Sequence, residues 1–187
     1  LGDRRRPEAG RTLFVNRQRA IELLETHVLT ETLRKHCLAS EAIMRHLARR
    51  FSQDEDQWGL AGLLHDLDFE TTKDDMQRHG LVSTEILEQE GLDTDSIHAI
   101  RAHNEEGTGV TRKTNFDFAL SCAESITGLV VATALVMPEK KLAQVKPKSV
   151  IKRMKKKDFA RSVSREDIRL CEKLGLTLPE FAELSVK

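Results

Sequence analysis

The stretch TETLRKHCLASEAIMRHLARRF, residues 30–51, has the clearest helical periodicity in the chain. Apolar and small side chains recur there at intervals of three and four, the spacing of one face of an α-helix. Thr30 stands where the N-cap of such a helix is expected. The pattern therefore predicts a long amphipathic helix with one buried face. That face carries Leu33, His36, Ser40, Ile43, Leu47 and Phe51.

Similar amphipathic segments continue along the chain, and no alternating strand pattern of useful length interrupts them. We therefore predict an all-α, single-domain helical bundle over residues 16–187, with a core at 30–136 and C-terminal helices at 147–187. Residues 1–15 are predicted to form a disordered tail, and the polar loop 104–115 a lid. Helices are predicted at Asn16 to His27, 30–51, 54–65, 75–90, 94–104 and 115–136, after Pro147, after the cap Ser164, and from Pro179.

The composition limits the class of protein and its partners. Of the 187 residues, 39% are hydrophobic, which is enough for one ordinary core. The 30 basic and 30 acidic residues cancel, so the net charge gives no argument for nucleic acid or a membrane as partner. No apolar run approaches the roughly 20 residues that span a bilayer. Three separated cysteines without a C-x-x-C pair favour a reducing, cytoplasmic setting: Cys37, Cys122 and Cys171.

Several histidines fall on the apolar faces of the predicted helices. Each of these shares its face with apolar or small residues three, four or seven positions away. His46 and His98 lie away from those faces and are predicted at the surface. His27 ends its helix, where the helix dipole favours a cation, so a structural role is the preferred interpretation. The inward-facing set is His36, His65, His79 and His103.

Buried imidazoles beside a carboxylate indicate a metal site. A single inward histidine is most often a core residue hydrogen-bonded to a carbonyl. Four of them with Asp66 would leave many polar atoms unsatisfied, whereas one or two divalent cations would satisfy them together. Mixed imidazole and carboxylate ligands suit transition metals, and we expect iron or manganese, with zinc, nickel and cobalt as alternatives. The spacing does not decide between one ion and two.

The histidines also occur in short motifs with a characteristic order. These are Arg34-Lys35-His36-Cys37-Leu38-Ala39, Ala61-Gly62-Leu63-Leu64-His65-Asp66, His79-Gly80 and Ala102-His103-Asn104. The order resembles the HD superfamily of metal-dependent phosphohydrolases over about residues 16–136. The resemblance implies a helical bundle. It extends to the HDIG-like subset, in which two additional histidines accompany a second metal ion, and His79 and His103 occupy those places.

The resemblance implies a role for each ligand. Asp66, the catalytic residue, would bridge two ions. His36, His65 and Glu124 would complete one ion, and His79 and His103 the other. Two departures from the family pattern are present. Glu124, in FALSCAESITG at 118–128, stands where the family usually has Asp, so a supporting or structural role is the alternative. The doublet continues as Leu67-Asp68, where a frequent version has an aliphatic residue and glycine.

The segment from Lys146 to Arg165 is strongly basic. Lys148 and Lys152 share a helix face and are predicted to bind or steer an anionic substrate. The alternative is a solvated face on a helix whose other side is apolar. Nucleic acid is a less favoured partner, because Phe159 is the only aromatic residue available there for base stacking.

These features support one leading hypothesis and two alternatives. The leading one is a metal-dependent phosphohydrolase that cleaves a phosphomonoester or phosphodiester bond of a nucleotide-like small molecule. Small family members that cleave dinucleoside polyphosphates are similar in length and motif order, so a dinucleotide is one candidate substrate. The alternatives are a non-catalytic metal- or nucleotide-binding sensor module and a di-iron oxygenase of the same superfamily. No Glu-x-x-His pair, the motif of ferritin-like di-iron bundles, occurs in the sequence.

Overall fold

The computed structural model describes residues 15–187, which form a single all-α bundle without strands in that range. The predicted fold class is confirmed. Of the predicted tail, residues 1–14 lie outside the described part of the chain, and Val15 is buried in the core. The helices are α1 Arg17–His27, α2 Glu31–Arg50, α3 Glu55–Leu64, α4 Phe69–Thr72, α5 Leu81–Gln89, α6 Thr94–His103, α7 Glu105–Thr108, α8 Asn115–Leu135, α9 Pro147–Met154, α10 Arg165–Arg169 and α11 Leu178–Ser185, with short 3₁₀ segments at Leu142–Gln144 and Leu170–Leu174.

Local capping explains where most helices begin. The side chain of Asn16 accepts a hydrogen bond from the backbone N–H of Arg19, and Ser164 caps α10 in the same way. Thr30 occupies the N-cap position of α2, but its side chain makes no capping bond. The carboxylate of Glu70 instead accepts the backbone N–H groups of Leu29 and Thr30, at 2.7 and 2.9 Å.

Helix α8 runs through the centre of the bundle and packs against α2, α6, α9, α10 and the second 3₁₀ segment. By length and composition it could cross a membrane, which corrects the expectation that no apolar stretch reaches that length. Its apolar stretch is 67% buried inside the protein, as expected of a core helix.

The region between α4 and α5 differs from the prediction of one helix over 75–90. Helix α5 begins only at Leu81, and turns occupy the residues before it. Gly80 has φ +89°, a left-handed conformation that glycine adopts without steric cost and that cannot continue a helix. His79 therefore lies in a turn at the start of α5 rather than on a helix face. The short helices α4 and α7 were not predicted; α7 occupies the start of the 104–115 loop.

Candidate metal centre

Five of the predicted ligand residues meet between α2, α3, α5 and α6. His36 comes from the second turn of α2, and His65 and Asp66 follow the last turn of α3. His79 precedes α5, and His103 is the last residue of α6. All except His36 are buried, and the side chain of His36 is 21% exposed to solvent.

Asp66 lies at the centre, and its two carboxylate oxygens face different histidines. Oδ2 lies 3.6 Å from Nε2 of His36 and 3.5 Å from Nε2 of His65. Oδ1 lies 3.3 Å from Nε2 of His79 and 3.7 Å from Nε2 of His103. The result is two groups of three donors that share one carboxylate, and the donor atoms within each group lie within 4.8 Å of one another.

The other ring nitrogens explain why the Nε2 atoms point inward. Nδ1 of His65 lies 2.9 Å from the carbonyl oxygen of Gly62, and Nδ1 of His103 contacts the carbonyl of Ile100. A carbonyl can only accept, so each of these Nδ1 atoms carries the proton. In the neutral rings, Nε2 is therefore left as a lone-pair donor for a metal.

Comparison with known protein families gives a match to the HD domain over residues 33–158, more than half of the chain. The chain belongs to the HD domain family. The matched range includes all five clustered residues, and membership places the protein among metal-dependent hydrolase-type domains. No curated protein and no solved structure matches the chain.

The residues of this HD domain fit divalent metal ions. The Nε2 atoms of His36 and His65 lie 3.2 Å apart, and those of His79 and His103 lie 3.0 Å apart. These four nitrogens and the two oxygens of Asp66 lie close together, with few hydrogen-bond donors to pair with them. Burying such groups unpaired is costly, and a cation on each side of Asp66 would satisfy them.

The protonation states of three of the ligands agree with this fit. Burial lowers the pKa of His36 to about 4 and that of His103 to about 3, so both imidazoles are neutral at pH 7. Burial opposes ionisation of Asp66 too, but the surrounding imidazoles outweigh it and hold the pKa of this carboxyl well below its usual range. Neutral imidazoles and an ionised carboxylate are the forms that bind metals.

His79 differs, because a second carboxylate supports it. Its Nδ1 lies 2.8 Å from Oδ1 of Asp68, a side chain with no solvent exposure. Burial disfavours the charged form, but hydrogen bonds to Asp66 and Asp68 outweigh it and raise the pKa of His79 to about 9. Sequence analysis noted Asp68 only as a departure from the family pattern. The signal that could have identified it was a carboxylate in an otherwise apolar turn beside the His-Asp doublet.

A cavity opens beside the cluster and is lined by His36, Asp66, His79 and His103. Glu124 also lines this cavity but belongs to neither donor group. It projects from α8, and its Oε1 accepts a hydrogen bond of 2.7 Å from the hydroxyl of Ser125. Burial, with the carboxylates of Asp66 and Asp167 adding to it, raises the pKa of Glu124 to about 8. The cavity has a volume of about 470 Å³, and its other polar lining residues include Asn104, Glu106, Ser162, Ser164 and Asp167.

The structure does not bring Lys148 and Lys152 to this cavity. Both are exposed on α9, and neither lines it. The residues after α9 contribute instead, and Val163 approaches so closely that a Cβ at Gly128 would lie 2.9 Å from its Cγ2. The basic helix therefore lies outside the cavity, while the loop that follows it forms part of the wall.

The histidines predicted to be at the surface also stay outside the cluster. His46 and His98 are half-buried rather than fully exposed. His46 contacts the carbonyl of Leu184, and Nδ1 of His98 lies 3.1 Å from Oδ1 of Asp117. His27 is half-buried at the end of α1. All three have positions that need no metal.

Proposed function

We propose that this HD domain is a phosphohydrolase that uses divalent metal ions to cleave a phosphomonoester or phosphodiester bond of a nucleotide-like small molecule. The observation that carries the proposal is the division of the Asp66 carboxylate between two donor groups. Such a shared carboxylate is suited to hold two cations side by side, an arrangement that favours attack on phosphorus and departure of the leaving oxygen.

In this proposal each side chain has one task. Asp66 would bridge the two ions, His36 and His65 would hold one, and His79 and His103 the other. When bound, the ions activate water near neutral pH and neutralise charge on phosphoryl oxygens. Iron or manganese suits this mixture of imidazole and carboxylate, with zinc, nickel and cobalt as alternatives.

Glu124 is proposed as a further ligand on the His36 and His65 side. Its raised pKa means that the isolated carboxyl is largely protonated at neutral pH. A neighbouring cation would lower that pKa and release the proton, because the opposite charge favours the carboxylate form. Glu124→Gln keeps the shape of the side chain but cannot ionise, so it should weaken metal binding; unchanged binding would assign Glu124 a structural role.

The cavity suits a small substrate. Its volume of about 470 Å³ lies in the range of small-molecule sites, and none of the lining residues from the described range 15–187 is Lys or Arg. The attraction for a phosphate group would therefore come from the metal ions, with Lys148 and Lys152 adding only long-range steering. We also propose a cytoplasmic location, without membrane or nucleic-acid partners; the three cysteines are buried free thiols.

The direct test is phosphate release from a panel of nucleotides, dinucleotides and simple phosphoesters, with manganese or ferrous iron added. The wild type should hydrolyse at least one class, and the double variant His65→Ala, Asp66→Ala should lose that activity. His98→Ala is the matched control, because this histidine also pairs with a carboxylate but lies outside the cluster. Folded, metal-loaded protein without activity on any member would favour the sensor or oxygenase alternatives.

A further inference from the structure

The four imidazoles of the cluster differ in the hydrogen-bond partners of their Nδ1 atoms. Nδ1 of His79 has a carboxylate partner, Asp68, whereas His65 and His103 have backbone carbonyls as partners. Nδ1 of His36 has no hydrogen-bond partner among residues 15–187, and its side chain is the most exposed of the four, at 21% against 5% or less. The His79 and His103 side is therefore the better organised of the two.

Asp68 is itself held in place from several directions. Its Oδ2 accepts the backbone N–H groups of Gly80 and Ser83, each at 2.8 Å. Its own backbone N–H donates to the hydroxyl of Ser83 at 3.0 Å. Rotating the carboxylate away from His79 would leave these buried donors unpaired, which is costly. Asp68 thus holds His79 in one orientation and joins it to the start of α5.

We propose that Asp68 is a positioning residue, which orients His79 and makes the Asp66, His79 and His103 group the tighter of two divalent-cation sites. The inference rests on the metal-binding part of the proposed function. A carboxylate behind a ligating imidazole fixes its ring orientation and makes it a stronger donor, and losing such a partner typically costs about 10- to 100-fold in metal affinity.

The other group should bind its ion more weakly. His36 has no such support, and Glu124, the further ligand proposed on that side, belongs to neither group of converging donors. Binding there must therefore first order both side chains, which costs conformational entropy. The two sites should consequently fill one after the other rather than together. The predicted order is the His79 side first and the His36 side second.

Titration of the metal-free protein with Co²⁺ tests the proposal without reference to activity. Calorimetry and the visible absorption of bound cobalt should resolve a tight and a weak step in the wild type. Asp68→Asn, which removes the charge but keeps the shape, should weaken the tight step by about 10- to 100-fold and leave the weak step unchanged. An unchanged tight step in this variant would overturn the proposal.

The chain offers a matched control in Asp117. This buried carboxylate also contacts a histidine nitrogen, at 3.1 Å from His98, and it receives the backbone N–H groups of Lys113 and Thr114. Asp117→Asn should leave both cobalt steps as in the wild type. A comparable loss in this variant would show that the Asp68 effect arises from general destabilisation, and would overturn the proposal.

Two ligand variants decide which group is tight, even if Asp68→Asn does not fold. His36→Gln should retain the tight step, and His103→Gln should lose it; the reverse result would overturn the proposal. The outcome is separable from the proposed function. Sensitivity of the tight step to Asp68 in a protein without turnover would refute only the phosphohydrolase assignment. Turnover together with two equal sites would refute only this inference.

Discussion

Gly62 in α3 lies directly against the backbone of Ser40 in α2. A Cβ at Gly62 would come within 2.8 Å of the carbonyl oxygen of Ser40. About one helical turn from this contact, on each helix, His36 and His65 bring their Nε2 atoms to 3.2 Å from each other. The close approach of the two helices therefore sets the spacing of one half of the metal centre.

Gly62→Ala should destabilise the protein. The added methyl group would press on backbone atoms of α2, which cannot rotate away, and overpacking of this kind costs about 1–3 kcal/mol. The measurement is the free energy of unfolding from urea titration. Gly128→Ala is the control, because its Cβ would meet only a side-chain methyl of Val163, which can move. Equal stability of wild type and Gly62→Ala would contradict the prediction.

Asp66→Ala should abolish most metal binding in a folded protein. Because both donor groups use this carboxylate, its removal takes a ligand from each. The metal content of purified protein should fall from the wild-type value to near zero, as measured by elemental analysis. His98→Ala should retain the full content. If Asp66→Ala binds as much metal as the wild type, the ligand assignment is wrong.

The metal-free protein should lose stability in acid. Burial lowers the pKa of His36 to about 4 and that of His103 to about 3, whereas unfolded imidazoles titrate near 6.5. Below pH 6.5 these two positions therefore bind more protons in the unfolded chain than in the folded one, so their titration favours unfolding in acid. Asp66, with its lowered pKa, acts in the same direction at lower pH. The check is the melting temperature at pH 6.5 and pH 5 in the presence of a chelator.

On the alkaline side His79 has the opposite effect. Burial opposes the charge of His79, but contacts with Asp66 and Asp68 raise its pKa to about 9. The stabilisation that protonated His79 gives the folded state is therefore complete below pH 6.5 and is lost as the pH rises to 9. The resulting decrease in the free energy of unfolding should be on the order of 3 kcal/mol. In His79→Gln the fall in melting temperature between pH 6.5 and 9 should be smaller than in the wild type, and the remainder should come from Glu124, whose raised pKa of about 8 acts in the same direction. A wild type equally stable at both values would refute the prediction.

Neutralising Lys148 and Lys152 should affect substrate capture only weakly. Both side chains are exposed and do not line the cavity, so the double change to Gln should raise KM a few-fold at low salt and leave kcat unchanged. At high salt the effect should vanish, because exposed charges are screened. The same substitutions at Lys140 and Lys141 provide the control. A fall in kcat, or an effect that persists in salt, would indicate direct contact with substrate.

Much of the architecture could be derived from the sequence because its signals are local. The periodicity of residues 30–51 and the capping signals at Asn16 and Ser164 depend only on neighbours within a turn or two, and they predicted real helices. The same counting placed His36 and His103 on faces turned toward the interior. The order of the His and Asp motifs was sufficient to recognise the HD family, which the family comparison confirms.

Other features were decided only in three dimensions. Gly80 delays the start of the helix predicted at 75–90 until Leu81, so His79 reaches the cluster from a turn. Asp68 became the partner of His79 only because that turn folds back over the end of α3. Likewise, Lys148 and Lys152 share a helix face, but the packing of α9 leaves them outside the cavity.

By itself, the sequence determined most of the longer helices, the faces that they bury and the residue types that could bind a metal, since each depends on short-range spacing. Only the tertiary structure decided that Asp66 divides its oxygens between two groups and that Asp68 supports one of them. Those relations depend on how closely helices cross and how turns fold back. The physical reason is that a side chain must lie within a few ångströms of the site to act as a ligand, and its position is set by packing between residues far apart in the sequence.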